Sequence, residues 1–378
     1  MRNLFREISA IWRFFRKTPK AQKTIVFYAE HEGYWSYLEG LIRELINTED
    51  KTISYITSDP NDPIFSREEP GIKPFYLNKL LPYFMVFVSA KVFVMTMTDL
   101  HRFYIRRSIN PVHYVYVFHA LMSTHMAYLE GAFDHYDTIF CTGPYQVDEI
   151  LKREKEEHLP KKHLVKTGYY RLERIYDAYQ KRLGVERFPN RKVILIAPSW
   201  GKENVFETCG EKLIASLLKA GYEVIARPHP ELKKRSPELL KSFVKMFGGN
   251  PLFTLETSVA TDDSLLRADL LVSDCSGVAL EYAFGTEKPV LFIDVPPKMR
   301  NSNYRKLGIE PLELALRSEI GVIVSPKDIE TIDEAIEKLI ASRDLYKERI
   351  QRLREKHIYE FGRSSKVGAE YILDLLTK

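Results

Sequence analysis

The sequence predicts an α/β protein with two parallel β-sheets, one in each half of the chain. Short apolar strands alternate with amphipathic helices from Thr24 onward, as in parallel sheets with right-handed crossovers. The alternation stops at Leu183–Arg191, where glycine, proline and asparagine cluster, and restarts at Val193. A chain of 378 residues is also longer than one hydrophobic core usually serves. These observations predict two Rossmann-like domains that face each other across a cleft.

The predicted domain boundaries follow from the breaks in this pattern. Residues 1–23 form a basic amphipathic helix, residues 24–186 the first Rossmann-like domain and residues 187–378 the second. The last helix, around Ala369–Lys378, is a candidate to cross back to the first domain.

Twelve short apolar runs are the predicted strands. In the first domain they are Thr24–Ala29, Thr52–Thr57, Lys91–Met97, His113–Phe118, Thr138–Cys141 and Leu164–Lys166. In the second domain they are Val193–Ala197, Glu223–Ala226, Leu252–Leu255, Leu270–Val272, Val290–Ile293 and Val322–Val324. The helical patterns between them include Trp35–Leu45, Gln146–Lys155, Leu172–Leu183 and Glu211–Ala220. Ligands bind at the carboxyl ends of strands in open parallel sheets, so the residues after each strand are candidates for a site.

The positive charge of the chain is concentrated at its N-terminus. Residues 1–23 hold seven basic side chains and one acidic one, while the whole chain carries a net charge of +5. The rest of the chain is therefore close to neutral. This distribution argues against a nucleic-acid-binding surface on the folded domains.

The same N-terminal segment has an apolar stripe at helical spacing. This stripe consists of Leu4, Phe5, Ile8, Ile11, Trp12 and Phe15. An aromatic stripe opposite basic residues predicts a helix in the headgroup region of an anionic membrane. The predicted contacts are Phe5, Trp12, Phe15, Arg13 and Arg16. The alternatives are a helix docked on the body of the protein or on another subunit. The segment does not read as a signal peptide, and no apolar run reaches the length of about 20 residues that a membrane span needs.

The strongest candidate site is the run Ser273–Gly277, which ends an apolar strand and opens a helix. Free backbone N–H groups at a helix start, together with the hydroxyls of Ser273 and Ser276, suit a phosphate. Glu281 falls about a turn and a half into that helix, where a carboxylate can accept hydrogen bonds from a ribose diol. The alternative is that the polar side chains only cap the helix.

The second candidate is Arg227-Pro228-His229-Pro230, directly after a strand. Two prolines stiffen the loop, so that Arg227 and His229 form a fixed pair of donors for a diphosphate. Positive charge at a leaving phosphate lowers the barrier to its transfer. The alternative is a rigid surface turn.

The third candidate is His119, which follows the strand His113–Phe118. A histidine at this position can act as general base toward an acceptor hydroxyl. The alternative is a structural histidine whose ring is bonded within the fold. His125, six residues later, is a weaker candidate on the acceptor side, as are His31 and Glu32 after the first strand.

Two further loops are more typical of architecture than of chemistry. One is Ala197–Gly201, in which Ser199 is a candidate contact of the nucleotide, and the other is Thr142–Tyr145. The sequence has no P-loop, no GxGxxG after a strand and no GxSxG elbow, which disfavours nucleotide kinases, common dehydrogenases and hydrolases. We expect no metal and no cofactor. The three cysteines are far apart and are expected to be reduced thiols.

Taken in order, these motifs resemble the CDP-glycerol glycerophosphotransferase family, the teichoic-acid primases and polymerases of bacteria. The matching pieces are Phe118-His119-Ala120, Gly143-Pro144-Tyr145, Thr167-Gly168-Tyr169, Ala197-Pro198-Ser199-Trp200, Arg227-Pro228-His229-Pro230 and Ser273-Asp274-Cys275-Ser276-Gly277. The resemblance implies a GT-B fold, with the acceptor on the first domain and the donor nucleotide mainly on the second. It also implies transfer of a polyol phosphate from a CDP-activated donor to a hydroxyl of a membrane-associated glycan or polymer, without a metal.

The resemblance also implies roles for individual residues. His119 matches the catalytic histidine near the acceptor, and His229 matches a second essential histidine beside the donor diphosphate. The matches to the donor-binding segments are Arg227, Ser273, Asp274, Ser276, Gly277 and Glu281. The chain departs from the usual pattern of the family at two places. The family usually has Trp-His-Gly at residues 118–120 and Ser-Asp-Tyr-Ser-Ser at residues 273–277.

The expected function is transfer of a polyol phosphate, with glycerol phosphate as the first choice and CMP as the leaving group. The expected location is the cytoplasmic face of the bacterial membrane, with residues 1–23 as the peripheral contact. Two alternatives stay open: a GT-B glycosyltransferase that uses a nucleotide sugar in capsule or lipopolysaccharide synthesis, and a non-catalytic scaffold of a membrane complex. Selective binding of a cytidine, uridine or guanosine nucleotide separates the two enzymes, and absence of nucleotide binding favours the scaffold.

Overall fold

The computed structural model describes residues 2–49, 51–67, 69–183, 191–258 and 261–377. Contacts group the chain into two compact units. The first unit contains Met1–His119, Tyr128–Arg171 and His357–Lys378, and the second contains Ala120–Ala127 and Leu172–Lys356. The predicted boundary at residues 186–187 lies outside the described residues.

The first unit is built on a seven-stranded parallel sheet. Its strands are β1 (Ile25–Ala29), β2 (Ile53–Thr57), β3 (Ile72–Tyr76), β4 (Val92–Met95), β5 (His113–Val117), β6 (Thr138–Cys141) and β7 (His163–Lys166). They lie in the order β3-β2-β1-β4-β5-β6-β7, and every neighbouring pair is parallel. The six strands predicted for this half are present, and their ends lie within two residues of the predicted ones.

The strand β3, which has Pro74 in its middle, was not predicted from the sequence. Proline has no N–H group for a sheet ladder and therefore weakens a strand prediction. In the structure β3 is an edge strand that pairs only with β2, with Pro74 opposite Tyr55. An edge strand tolerates proline because its outer side has no neighbour to which an N–H group must donate.

The second unit is built on a six-stranded parallel sheet. Its strands are β8 (Val193–Ile196), β9 (Glu223–Ala226), β10 (Phe253–Leu255), β11 (Leu270–Ser273), β12 (Val290–Ile293) and β13 (Gly321–Val324). Their order, β10-β9-β8-β11-β12-β13, is that of the doubly wound dinucleotide-binding fold. The prediction of two Rossmann-like sheets is therefore confirmed.

Fifteen α-helices are found in the described residues. They are α1 (Arg2–Trp12), α2 (Trp35–Glu49), α3 (Leu81–Phe87), α4 (Pro144–Glu156), α5 (Tyr170–Arg182), α6 (Val205–Lys219), α7 (Pro230–Arg235), α8 (Pro237–Phe247), α9 (Asp263–Arg267), α10 (Gly277–Thr286), α11 (Leu312–Ala315), α12 (Arg317–Ile320), α13 (Ile332–Ala341), α14 (Arg343–His357) and α15 (Ser364–Thr377). Each unit buries its own core, in which apolar helix faces pack on the strands: Leu38 and Ile42 lie against Phe27 in the first, and Leu213 lies against Ile194 in the second. Among these described helices, none is both long and apolar enough to cross a membrane.

Both sheets change the direction of their connections at a central pair of strands. In the first sheet this pair is β1 and β4, and in the second it is β8 and β11. Loops diverge at such a switch point and leave a crevice at the carboxyl ends of the strands. The loops that follow these four strands are therefore the candidates for a ligand site.

The C-terminal helix α15 belongs to the first unit. Lys91 Nζ donates to the carbonyl of Leu376 at 2.7 Å, and the hydroxyls of Tyr371 and Thr138 lie 2.8 Å apart. The absence of a side chain at two glycines leaves space for the segment that leads into this helix. A Cβ on Gly143 would lie 1.8 Å from the carbonyl oxygen of His357, and one on Gly168, whose φ is +85°, would lie 2.1 Å from that of Tyr359. These two motif glycines therefore have an architectural role.

The N-terminal helix α1 is docked on the first unit through one face. The carboxylate of Glu7 accepts hydrogen bonds from the backbone N–H groups of Asn78 (2.9 Å) and Leu80 (2.7 Å). Phe14, in the turn that continues the helix, is buried against Phe75 and Phe84. This face of α1 is therefore docked on the body of the protein, as one of the alternatives to a membrane contact predicts.

Candidate active site

In the second unit, Asp274 connects the loops that follow β8 and β11. Its carboxylate accepts a hydrogen bond from the backbone N–H of Ser199 at 2.8 Å and another from the Ser199 hydroxyl at 2.9 Å. Both residues are buried, and burial raises the pKa of Asp274 despite these two bonds. Nearby, Ser273 Oγ donates to the carbonyl of Ala197 at 2.7 Å. Ser199, Ser273 and Asp274 therefore fix the shape of this edge of the sheet.

Ser276 and Gly277 form the start of α10, as predicted from the strand–loop–helix pattern. Ser276 is the N-cap residue, but its side chain makes no capping hydrogen bond to the helix. The reading in which this serine only caps the helix is therefore not supported. Gly277 is closely packed within its unit: a Cβ there would lie 3.1 Å from Met122 Cγ and 3.3 Å from Ala120 Cβ. The N–H groups of the first turn and the Ser276 hydroxyl make this helix start suitable for a phosphate.

Glu281 lies in the second turn of α10 and is buried. It is separated from Ser276 by about one and a half turns of helix, as the sequence predicts. Its role toward a ribose stays a prediction.

Arg227 follows β9 and is buried at the same edge of the sheet. One guanidinium nitrogen donates to Ser264 Oγ at 2.9 Å and another to the carbonyl of Thr261 at 3.0 Å. These bonds tie the loop after β9 to the start of α9. The structure therefore gives Arg227 a positioning role, and its direct contact with a diphosphate stays a prediction.

His229 is half-buried at the start of α7, and its tautomer follows from its contacts. Its Nδ1 accepts a hydrogen bond from the backbone N–H of Glu231 at 3.1 Å. In the neutral imidazole the ring proton is therefore on Nε2. His229 is arranged to donate a hydrogen bond from Nε2, a role that suits a phosphate oxygen better than the removal of a proton.

A group of basic side chains that was not predicted from the sequence surrounds Trp200. Lys298 Nζ lies 4.0 Å from the centre of the indole, the Arg235 guanidinium lies 4.6 Å from it, and the ring centre of His229 lies 6.0 Å from it. Lys298 lies in the loop after β12, so a search extended five residues beyond that strand would have reached it. Its approach to Trp200 depends on tertiary packing, which no local pattern predicts.

In the first unit, aromatic side chains surround His119 at the end of β5. The rings of Tyr34, Tyr37 and Tyr128 have their centres 5.4, 6.2 and 6.0 Å from that of His119. The Tyr116 hydroxyl lies 3.4 Å from His119 Nδ1. Because His119 is half-buried among aromatic rings, its ring orientation is restricted while part of it is accessible.

The loop after β1 approaches the same group of rings. His31 Nδ1 accepts a hydrogen bond from the Gly33 backbone N–H at 3.1 Å, and its ring centre lies 4.8 Å from that of Tyr34. Burial and the neighbouring Glu30 carboxylate raise the pKa of Tyr34. Glu32 is exposed. The first unit thus brings the rings of His31 and His119 close to that of Tyr34, and Glu32 is not part of this group.

His125 differs from its predicted place on the acceptor side. The segment Ala120–Ala127 follows His119 in sequence but belongs to the second unit. His125 Nε2 donates to the carbonyl of Ile309 at 3.0 Å, and the Glu313 carboxylate accepts two hydrogen bonds from Ser123. These bonds explain the correction, because they hold the histidine ring inside the second unit.

The three cysteines are buried free thiols. Burial raises the pKa of Cys275 to about 12 and that of Cys209 to about 11, so both thiols are protonated at neutral pH. A protonated thiol is a poor nucleophile. Cys275 therefore contributes packing to the Ser273–Gly277 run. In the described part of the chain, no group of three His, Cys, Asp or Glu side chains is placed to hold a metal ion.

Comparison with known proteins places these residues in a wider context. A family model described as CDP-glycerol:poly(glycerophosphate) glycerophosphotransferase matches residues 10–372. Among curated proteins, no significant match is found.

Solved structures share the fold over nearly the whole chain. A structure of the wall teichoic acid polymerase TagF with CDPG is 14% identical, with a TM-score of 0.63, and the match covers 99% of this chain and 94% of that one. MnaA of S. aureus with UDP is 16% identical, with a TM-score of 0.61 and coverage of 94% and 98%. UDP-GlcNAc 2-epimerase from Neisseria meningitidis bound to UDP-GlcNAc is 14% identical, with a TM-score of 0.60 and coverage of 93% and 99%. At these identities the likeness concerns the fold, which is GT-B-like as predicted.

Proposed function

The chain belongs to the CDP-glycerol:poly(glycerophosphate) glycerophosphotransferase family, and on this premise we propose that it extends a glycerophosphate polymer or a lipid-linked glycan by one or more glycerol phosphate units. It is a CDP-glycerol glycerophosphotransferase-like enzyme. In the proposed reaction an acceptor hydroxyl attacks the β-phosphorus of CDP-glycerol. A bond forms between the acceptor oxygen and the β-phosphorus, the bond from that phosphorus to the bridging oxygen breaks, and CMP leaves with the bonding electrons.

The observation that carries the proposal is the carboxyl edge of the second sheet. The start of α10 presents the N–H groups of its first turn and a Ser276 hydroxyl that does not cap it, while the neutral ring of His229 carries its proton on Nε2. Both sets of groups can donate hydrogen bonds to phosphate oxygens. Their stabilising effect increases as negative charge develops on the departing CMP. Because these hydrogen-bond donors stabilise the developing negative charge, the proposed reaction includes no metal or other cofactor.

His119 is the proposed general base toward the acceptor hydroxyl. Its half-buried ring is held by tyrosines, and imidazole titrates near neutral pH. The proton of the acceptor moves to a ring nitrogen of His119 as the new bond forms.

The test of the donor assignment is calorimetric titration with CDP, CMP, UDP and GDP. We expect selective binding of CDP, and we expect Ser276→Ala to weaken it about tenfold because a hydrogen bond to a charged phosphate is lost. Ser318→Ala, at an exposed position of the same unit, is the matched control and is expected to bind CDP like the parent. Selective binding of UDP or GDP would instead favour a sugar transferase, and no nucleotide binding by the folded protein would favour the scaffold.

We also propose that α1 holds the enzyme at the inner face of the bacterial membrane. Opposite its docked face, Leu4, Phe5, Ile8 and Trp12 lie at helical spacing, with 44, 70, 51 and 51% of their surfaces exposed. Arg16 is exposed nearby, and Lys17 Nζ lies 4.5 Å from the Trp12 ring centre. Of the other predicted contacts, Phe15 is half-buried against Phe84, and Arg13 donates to the carbonyl of Pro74. The proposed contact is therefore centred on Phe5 and Trp12.

Vesicle binding tests this location. The double variant Phe5→Ser/Trp12→Ser is expected to bind vesicles rich in phosphatidylglycerol about tenfold or more weakly than the parent, since two aromatic side chains no longer enter the headgroup region. Leu345→Ser, which changes an apolar side chain 78% exposed in the second unit, is the control and should bind like the parent. Equal binding of the double variant and the parent would reject the α1 contact.

A further inference from the structure

Trp200 is the centre of a cationic group whose most confined member is Lys298. The indole is partly buried against the core of the second unit, and the ammonium of Lys298 lies 4.0 Å from its centre. Tryptophan has the aromatic face that attracts cations most strongly. Pro296 and Pro297 precede Lys298, and their fixed φ angles restrict the loop that carries it. Lys298 is therefore held in place at the edge of the sheet where the donor site is proposed.

The carboxylates nearest to Lys298 are engaged by other groups. Asp274 accepts both hydrogen bonds of Ser199, and Glu231 is paired with Lys234 at 2.9 Å and Arg235 at 3.3 Å. Among the residues that the structure describes, no carboxylate forms an ion pair with Lys298. The other charged neighbours, Arg300 and Arg235, are cations. The group as a whole therefore suits an anion.

We propose that Lys298, positioned on Trp200, binds the diphosphate of the activated donor. This inference rests on the proposed function, since it takes the ligand to be a nucleoside diphosphate with a polyol on its β-phosphate. Three loops meet here: Trp200 follows β8, His229 follows β9 and Lys298 follows β12. Trp200 also adjoins Ser199, whose bonds to Asp274 connect this group with the loop that opens α10. A diphosphate at the start of α10 is thus bounded by the cations around Trp200.

The protonation state of Lys298 gives the proposal a specific signature. Burial and the repulsion of Arg300, partly offset by Asp274 and Glu231, lower the pKa of Lys298 to about 8. Above that pH the free protein carries mostly neutral Lys298. A diphosphate beside the amine favours its charged form and raises its pKa. Binding above pH 8 must therefore be accompanied by uptake of a proton.

The experiment is calorimetric titration of the full chain with CDP, CMP and cytidine, for the parent and for Lys298→Met and Lys298→Arg. Lys298→Met is expected to lower CDP affinity roughly ten- to a hundredfold, to lower CMP affinity less and to leave cytidine affinity unchanged, because a bond to a charged group is lost. Lys298→Arg keeps the charge and is expected to retain most of the CDP affinity. Lys219→Met, at an exposed lysine at the end of α6, is the matched control and is expected to match the parent. Thermal melting of each variant checks folding.

Titrations at about pH 8.5 in buffers of different ionisation enthalpy measure the protons taken up, since the pKa of free Lys298 is about 8. The parent is expected to take up more protons on CDP binding than Lys298→Met or Lys298→Arg, because arginine is always charged. Unchanged CDP affinity in folded Lys298→Met, or equal proton uptake in the parent and both variants, would overturn the role of Lys298. Failure of the parent to bind CDP would overturn the proposed function itself.

Discussion

Replacing His119 with alanine is expected to lower the rate of transfer about 10²- to 10⁴-fold, the usual contribution of a general base. His119 is half-buried at the end of β5, beside Tyr34, Tyr37 and Tyr128. The proposed donor contacts lie in the second unit, while His119 belongs to the first. CDP affinity and melting temperature are therefore expected to stay close to those of the parent.

Single-turnover transfer from CDP-glycerol, together with CDP titration and thermal melting, measures these three properties. His163→Ala removes an exposed histidine on β7 of the same unit and is the matched control. Transfer by His119→Ala within about twofold of the parent would reject the base assignment, since even a weak general base contributes more. Loss of transfer together with a large drop in melting temperature would instead indicate a structural histidine.

Replacing His229 with alanine is expected to lower the transfer rate about 10²- to 10³-fold, as for the loss of one donor to a developing anion. The reason is its tautomer: Nδ1 accepts a hydrogen bond from the Glu231 backbone N–H, so Nε2 of the neutral ring carries the proton that can be donated to the proposed phosphate. Alanine also removes the N-cap of α7, which costs about 1 kcal/mol of stability. Glutamine keeps the donor, because its amide nitrogen reaches about as far from the backbone as the imidazole Nε2, whereas the amide of asparagine is too short.

His229→Gln is therefore expected to retain most of the transfer rate, whereas His119→Gln is expected to be as inactive as His119→Ala. An amide cannot take a proton from an acceptor hydroxyl. The two pairs of variants, compared by initial rates of CMP release and by melting temperature, distinguish a hydrogen-bond donor from a base. If His229→Gln were as slow as His229→Ala, the donor role of His229 would be contradicted.

The sheets and the location of the site could be predicted because both depend on local pattern. Apolar runs bounded by turns identified the strands, and parallel topology requires ligands at their carboxyl ends. The exception was β3, an edge strand that was not predicted because Pro74 lies within it. His125 shows a second limit: its place in the second unit depends on a bond to Ile309, 184 residues away in sequence.

The side-chain contacts of the site could not be predicted, because they join loops that are distant in sequence. The bonds between Ser199 and Asp274 span 75 residues and join two loops, while the predicted contact of these residues with the donor stays a prediction. Lys298 approaches Trp200 from almost 100 residues away. Neither contact can be recognised from the composition of the sequence around its residues.

Two residues at which the chain departs from the usual family pattern are neighbours in the structure. The family usually has glycine where this chain has Ala120, and serine where it has Gly277. In the structure these two positions face each other, with only 3.3 Å between Ala120 Cβ and the place of a Cβ on Gly277. A Cβ at residue 277 would be in tight contact with Ala120, which would have to shift by a few tenths of an ångström. The sequence contains both departures, but only the structure shows that the two positions are neighbours.

The identity of the nucleotide that leaves tests the central claim most directly. The parent is incubated with CDP-glycerol and a short glycerophosphate acceptor, and the products are followed by phosphorus NMR. We predict one CMP and one new phosphodiester for each glycerol phosphate added, because the bond broken lies between the β-phosphorus and the bridging oxygen. Release of CDP without a new phosphodiester would show that the link between the β-phosphate and glycerol is broken instead, and would contradict phosphate transfer.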